Sequence, residues 1–152
     1  MSVQVTTQND TRDFIIGLAA LSKDQETIAQ DAGRSAVLAF GTVMAKVSAS
    51  QKWTPLISLT ATDGSAVPQG IYVGPEIAAA DLVAGDVVDV PILVGNAVVD
   101  ENQVVLENSL TLDDVFVSSD ATNVYFEVTV RDLLAMRSIF VESSVDITEQ
   151  QS

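Results

Sequence analysis

The clearest hydrophobic rhythm in the chain lies near its end. In Asn123-Val124-Tyr125-Phe126-Glu127-Val128-Thr129-Val130, the residues Val124, Phe126, Val128 and Val130 recur at every second position. A period of two places them on one face of a β-strand. The same period links Val43, Ala45 and Val47, set against Thr42, Met44 and Lys46. Ala content makes a helix possible over residues 35–47, but Gly41 interrupts the run, so two strand pieces are expected. Further strands are expected at Thr27–Ala29, at Trp53–Leu56 with Ile57 and Leu59 alternating, at Gly70–Val73, at Val87–Val90 and Ile92–Val94, at Ala97–Val99, and at Ile139–Val141. Ser22–Glu26 reads as a turn or capping signal. One or two helical turns are expected in Glu76–Ala84 and again in Arg131–Met136, and a capped short helix at Ser109–Phe116. Pro68 and Pro91 lack the backbone donor of a ladder, which predicts an edge, a bulge or the start of a strand at each.

These elements predict a mainly β chain with small helices, of the α+β class, in a compact barrel- or sandwich-like body. Residues 1–12 are polar, with weak alternation at Val3 and Val5, and lead into the apolar cluster Phe14-Ile15-Ile16-Gly17-Leu18. The expected organisation is a flexible arm over residues 1–17, one domain over 18–142 and a frayed tail over 143–152. The cluster at Phe14 reads equally as a segment docked on the core and as an anchor for a partner.

Composition narrows the functions available. The 152 residues are 47% hydrophobic and 18% charged, too apolar and too little charged for wholesale disorder. The net charge is −14, and its placement is uneven. Between Lys52 and Arg131 there is no Lys or Arg, while carboxylates recur from Asp63 to Glu127. Such an interval argues against nucleic acid as a partner, because it offers no cations to meet phosphate. It suits a surface that stays soluble at high local concentration or meets a basic partner. No run approaches the roughly 18 apolar residues of a membrane helix. The N-terminus lacks the charged start and apolar run of a signal peptide, so synthesis in the cytoplasm is expected.

Candidate chemistry is sparse. The chain has neither Cys nor His, which removes Ser/His and Cys/His nucleophilic arrangements. No phosphate-binding glycine loop occurs. The carboxylate pairs open to acid–base work are Asp113 with Asp114 and Asp86 with Asp89, and neither has a distinguishing context. Asp63-Gly64-Ser65 and Asp100-Glu101-Asn102 offer oxygens to calcium but read first as turns. No enzyme activity and no cofactor or metal is expected.

The ordered set of motifs resembles the head decoration, or cement, proteins of lambda-like tailed bacteriophages. The resemblance runs from Phe14 to Val141. It is carried by Phe14-Ile15-Ile16-Gly17, by Val37 to Val47 with its central Gly41, by Lys52-Trp53-Thr54-Pro55, by Ala61-Thr62-Asp63-Gly64-Ser65-Ala66-Val67-Pro68-Gln69-Gly70-Ile71, by Asp89 to Val99, and by Leu133 to Val141. The stretch from Val104 to Asn123 has no counterpart in it. The resemblance implies a decoration-protein fold and homotrimers on the exterior of an expanded capsid at its local three-fold positions. Their partner would be the major capsid protein, and an N-terminal arm would order against it. The arm residues expected to grip are Val3, Val5, Phe14, Ile15 and Ile16. Those expected at the trimer interface are Trp53, Pro68 and Tyr72, although the residues by themselves read Trp53 first as a core side chain, with an interface anchor as the alternative, and Gly70–Val73 as buried. Two other readings stay open: a tail or fibre-base protein, and a small ligand-binding β module that would need exposed aromatics such as Trp53, Tyr72 and Tyr125.

Overall fold

The computed structural model describes residues 14–17, 20–119 and 122–143. The chain is mainly β. Five strands close into a barrel in the order β2 (Leu21–Ile28), β4 (Trp53–Pro55), β3 (Val43–Lys46), β5 (Pro68–Tyr72) and β6 (Val87–Gly95), with β6 returning to β2. A three-stranded sheet lies beside it. Its centre is β7 (Ala97–Asp100), flanked by antiparallel β1 (Ile15–Gly17) and by parallel β10 (Ile139–Glu142). A hairpin of β8 (Val115–Ser119) and β9 (Val124–Thr129) forms a separate two-stranded sheet. The two short helices are α1 (Ala79–Ala84) and α2 (Val130–Ala135). Among the described residues, no helix is long and apolar enough to cross a membrane.

The apolar residues sort into two cores, and strand parity explains the sorting. Ile28, Met44, Trp53, Tyr72, Val90 and Ile92 belong to one cluster and come from all five barrel strands, so this is the barrel interior. Leu82 of α1 joins it. Their sequence neighbours Val43, Ala45, Ile71 and Leu93 point the other way. They meet Phe14, Ala97, Val99, Val130, Leu134, Ile139 and Val141 in the second core, between the barrel wall and the outer sheet with α2. A strand buried on both faces reads as a continuous apolar run, which is why Ile71-Tyr72 and Ile92-Leu93 are adjacent pairs rather than alternations. Close packing here requires Gly70. A Cβ at that position would lie 2.7 Å from both a methyl of Ile92 and the carbonyl of Leu93.

Several sequence expectations are corrected. Residues 22–26 are not a turn but the middle of β2, whose side chains from Leu21 to Gln25 are exposed. Backbone pairing with β6 makes this a strand, where its polar side chains give no apolar signal. The expected strand at residues 36–40 reduces to a single bridge, in which Leu38 and Ile77 exchange backbone hydrogen bonds of 2.8 and 3.0 Å. Val87 to Gly95 is one strand, not two. Pro91 fits within it because β2 bulges there. Lys23 pairs with Ile92 and Glu26 with Val90, so Asp24 and Gln25 stand opposite Pro91 alone. Pro68 opens β5, where a missing donor costs least, although the closed barrel gives it no edge to occupy. The short helix expected at Ser109–Phe116 is absent. Asn108 and Ser109 adopt positive φ of 56° and 61°, and β8 begins at Val115.

Candidate docking surfaces

The N-terminal grip residues divide. Val3 and Val5 lie outside the described residues, as do the other residues up to 13 and those from 144 onward. Phe14 is fully buried, with its ring edge-on to Phe40 at 5.4 Å and 81°. Ile15 packs against the same core, and Ile16 is half-buried. Ile15 and Gly17 pair with Val99 and Val98, across a bulge. Of the two readings of this cluster, the docked segment is the one present within the chain. The boundary of the body therefore lies before Phe14, not after Gly17, because deleting the ring would open the second core.

The three residues expected at a trimer interface are interior residues. Trp53 and Tyr72 are each 2% exposed and Pro68 is buried. Trp53 lies in the barrel with Lys46 Nζ 5.0 Å from its ring centroid, and its indole Nε1 has no hydrogen-bond partner. The Tyr72 hydroxyl donates to the Pro75 carbonyl at 2.5 Å, and burial pushes its pKa up to about 12. Small apolar chains cannot fill a five-stranded barrel alone, so its largest aromatics are drawn inward. An interface must be built from other side chains.

The candidate carboxylates are engaged in structure. Asp86 accepts from Lys52 Nζ at 2.5 Å and from the Gln30 backbone N–H at 2.8 Å, and these bonds, Lys52 first, hold its pKa below the ordinary carboxylate range. Asp89 is exposed and adopts a φ of 58°. Asp114 accepts from the Thr111 backbone N–H, while Asp113 reaches Arg131 at 3.9 Å. Asp63 and Asp100 close turns by accepting from the backbone N–H groups of Ser65 and Asn102, each at 3.0 Å. The two-residue turns account for both oxygen-rich segments. Among the described residues, no three carboxylates are grouped to hold a metal ion.

Arg34 and Arg131 serve as clasps in the same way. Arg34, almost fully buried, binds Glu107 through both guanidinium arms at 2.5 and 2.6 Å and donates to the carbonyls of Ala36 and Val37. The Glu107 hydrogen bonds raise its pKa above the ordinary value. Arg131 ties α2 to Glu101 at 2.5 Å and to the Val141 carbonyl at 2.9 Å. These pairs tie segments distant in sequence to one another.

The β8–β9 hairpin carries five exposed large apolar side chains, a surface that sequence reasoning did not single out. Cross-strand register sets Phe116 opposite Val128, and a register shift further along the hairpin sets Val124 opposite Ser119. The Phe116 and Phe126 rings meet at 5.9 Å. Val115 and Val117 belong to the face opposite Phe116. Val124 is 60% and Tyr125 64% exposed, and Val115, Val117 and Phe126 are also open to solvent. Only Val130, where the chain turns into α2, is fully buried among the residues that alternate with Val124. The sequence did carry a signal. In β8 both parities are apolar from Val115 to Val117, whereas in β9 Glu127 and Thr129 mark a polar parity. In comparisons with protein-family models, with curated proteins and with solved structures, the chain matches none.

Proposed function

We propose that this chain is a structural protein of a bacteriophage head. It seats as homotrimers on the outer surface of the expanded capsid at local three-fold positions and holds neighbouring capsid subunits against internal DNA pressure. The ordered resemblance from Phe14 to Val141 supplies the class. One structural observation supports it: five of the exposed large apolar side chains lie on the β8–β9 hairpin, while Trp53 and Tyr72, two of the three aromatics named for a ligand site, fill the barrel. An apolar patch on a strongly acidic body suits a surface that protein covers. The described body begins at the buried Phe14, beside the outer sheet. Each contact is modest, and repetition across the capsid multiplies it.

The test is direct. Purified protein is mixed with expanded, undecorated capsids and inspected by electron microscopy. Density at the local three-fold positions is expected. Absence of binding, or binding confined to the tail vertex, overturns the reading. Protein lacking residues 1–13 should keep its fold and lose capsid affinity, and unchanged affinity would remove the arm from the mechanism.

A further inference from the structure

We propose that Arg131 guards the outer edge of β10, its guanidinium occupying the backbone acceptor to which a strand of a second copy would otherwise bond. The inference does not depend on the function proposed above.

The outer sheet ends in two edge strands, β1 and β10, and no described strand pairs beyond either. An edge strand presents backbone N–H and C=O groups that can template pairing with another chain. β1 is three residues long, and its register with β7 shifts between Ile15 and Gly17, which spoils it as a template. β10 lacks that protection. It pairs with β7 without a shift, from Ile139 opposite Ala97 to Glu142 opposite Asp100. It contains no Pro, its one charge stands at its end, and Ile139-Phe140-Val141 is a run of β-branched and aromatic residues.

One bond sets the direction of its backbone groups. The Ala97 N–H donates to the Ser138 carbonyl at 3.0 Å, so that carbonyl faces β7. Direction alternates along a strand, so the groups of Phe140 also face β7, and those of Ile139 and Val141 face the outer edge. Arg131 Nη1 donates to the Val141 carbonyl at 2.9 Å. A guanidinium so close to that oxygen stands inside the spacing of about 4.8 Å at which a further strand would lie. It is anchored there. Nη2 donates to Glu101 at 2.5 Å, Nε lies 3.9 Å from Asp113, and the Arg131 backbone N–H donates to the Leu112 carbonyl at 3.0 Å. A planar fork can serve a carbonyl and a carboxylate at once, which a lysine ammonium does less well.

Arg131→Ala in the intact chain tests the guard. Association is read by sedimentation velocity across a dilution series, and folding by the Trp53 fluorescence melt. R131A is expected to form species larger than the parent's at roughly tenfold lower concentration, the scale of one freed hydrogen-bond acceptor. Unchanged association of a folded R131A overturns the proposal. The edge itself is tested by adding Phe140→Lys, at a side chain 40% exposed on β10, because a lysine on an edge strand opposes pairing. The double variant should return to the parent's behaviour. Association that persists in it comes through another surface and overturns the proposal too. If R131A does not fold, Glu101→Ala carries the test, since it removes the closest anchor of the guanidinium. A rise in association that F140K suppresses is then expected, and no rise overturns the guard.

Discussion

Gly41 holds a φ of 87°, and a side chain there would run into the backbone carbonyl of Gln103. The conformation alone disfavours an L-residue by about 1–3 kcal/mol, and backbone cannot swing aside as a side-chain tip can. The strain falls where Gly41 exchanges hydrogen bonds with Tyr72 and Val105, at the seam between barrel and loop. Gly41→Ala should therefore lower stability by at least that amount, read as a shift in the urea midpoint of Trp53 fluorescence. An unchanged midpoint would mean that the seam relaxes freely. Tyr72 offers a second residue-scale test, with its sign set by burial. Its pKa is raised to about 12, so between about pH 10 and 12 the folded state keeps a proton that the unfolded chain has lost. Stability contributed by Tyr72 is complete below pH 10 and falls as pH rises through that interval. In Tyr72→Phe, this alkaline loss should shrink and the tyrosinate absorbance step near pH 12 should vanish. At neutral pH the variant should lose about 1 kcal/mol with the hydrogen bond to Pro75. A step that persists would place that tyrosinate elsewhere.

At the scale of elements, β1 shows that the boundary between arm and body decides what a truncation measures. Removing residues 1–13 leaves Phe14 and the pairing of β1 with β7 in place. Removing residues 1–17 takes a fully buried aromatic from the second core, a loss of about 3–5 kcal/mol. For a domain of this size, that corresponds to a fall in Tm of about 10 °C. Thermal melts of the two truncations should differ by that margin, and equal melts would show that Phe14 is dispensable. The same element shows what the sequence could disclose. Apolar runs buried on both faces, such as Gly70–Val73 and Ile92–Val94, announced their strands, and the Ala- and Leu-containing stretches Glu76–Ala84 and Arg131–Met136 announced the helices at Ala79–Ala84 and Val130–Ala135. β2 did not, because its strand state comes from ladder bonds to β6 while its side chains face water. Trp53 and Tyr72 could be named as important but not placed. A large aromatic reads the same in a core and in an interface until the curvature of the sheet is known. The alternation of Val124, Phe126 and Val128 located a strand, but period alone does not say whether a face has anything to pack against.

At the scale of the whole molecule, two electrostatic effects oppose each other, and their sizes differ. Net charge of −14 pushes the compact state apart through many distant pairs, while a few exposed ion pairs such as Lys52 with Asp86 hold it together locally. Exposed pairs contribute between nothing and about 1 kcal/mol each, so the collective repulsion should dominate. Salt then stabilises. Raising NaCl from 0.1 to 1 M shortens the screening length from about 10 to about 3 Å, and Tm should rise by a few degrees. Acid acts through specific groups. Asp86 is held low by Lys52 and then by the Gln30 N–H, and Asp63 by the Ser65 hydroxyl and backbone N–H. A carboxyl whose pKa is lower in the folded chain contributes stability that is fully present above the unfolded value, about 4, and lost as pH falls through the folded one. Tm should therefore drop below about pH 4. Lys52→Ala removes the largest cause at Asp86, so its Tm should fall less steeply over that range than the parent's. Parallel melts of the two proteins between about pH 5 and 2.5 decide the matter: identical acid slopes would mean that Asp86 makes no contribution to the folded state's proton balance, and that acid unfolding of this chain is governed by the carboxylate crowd alone.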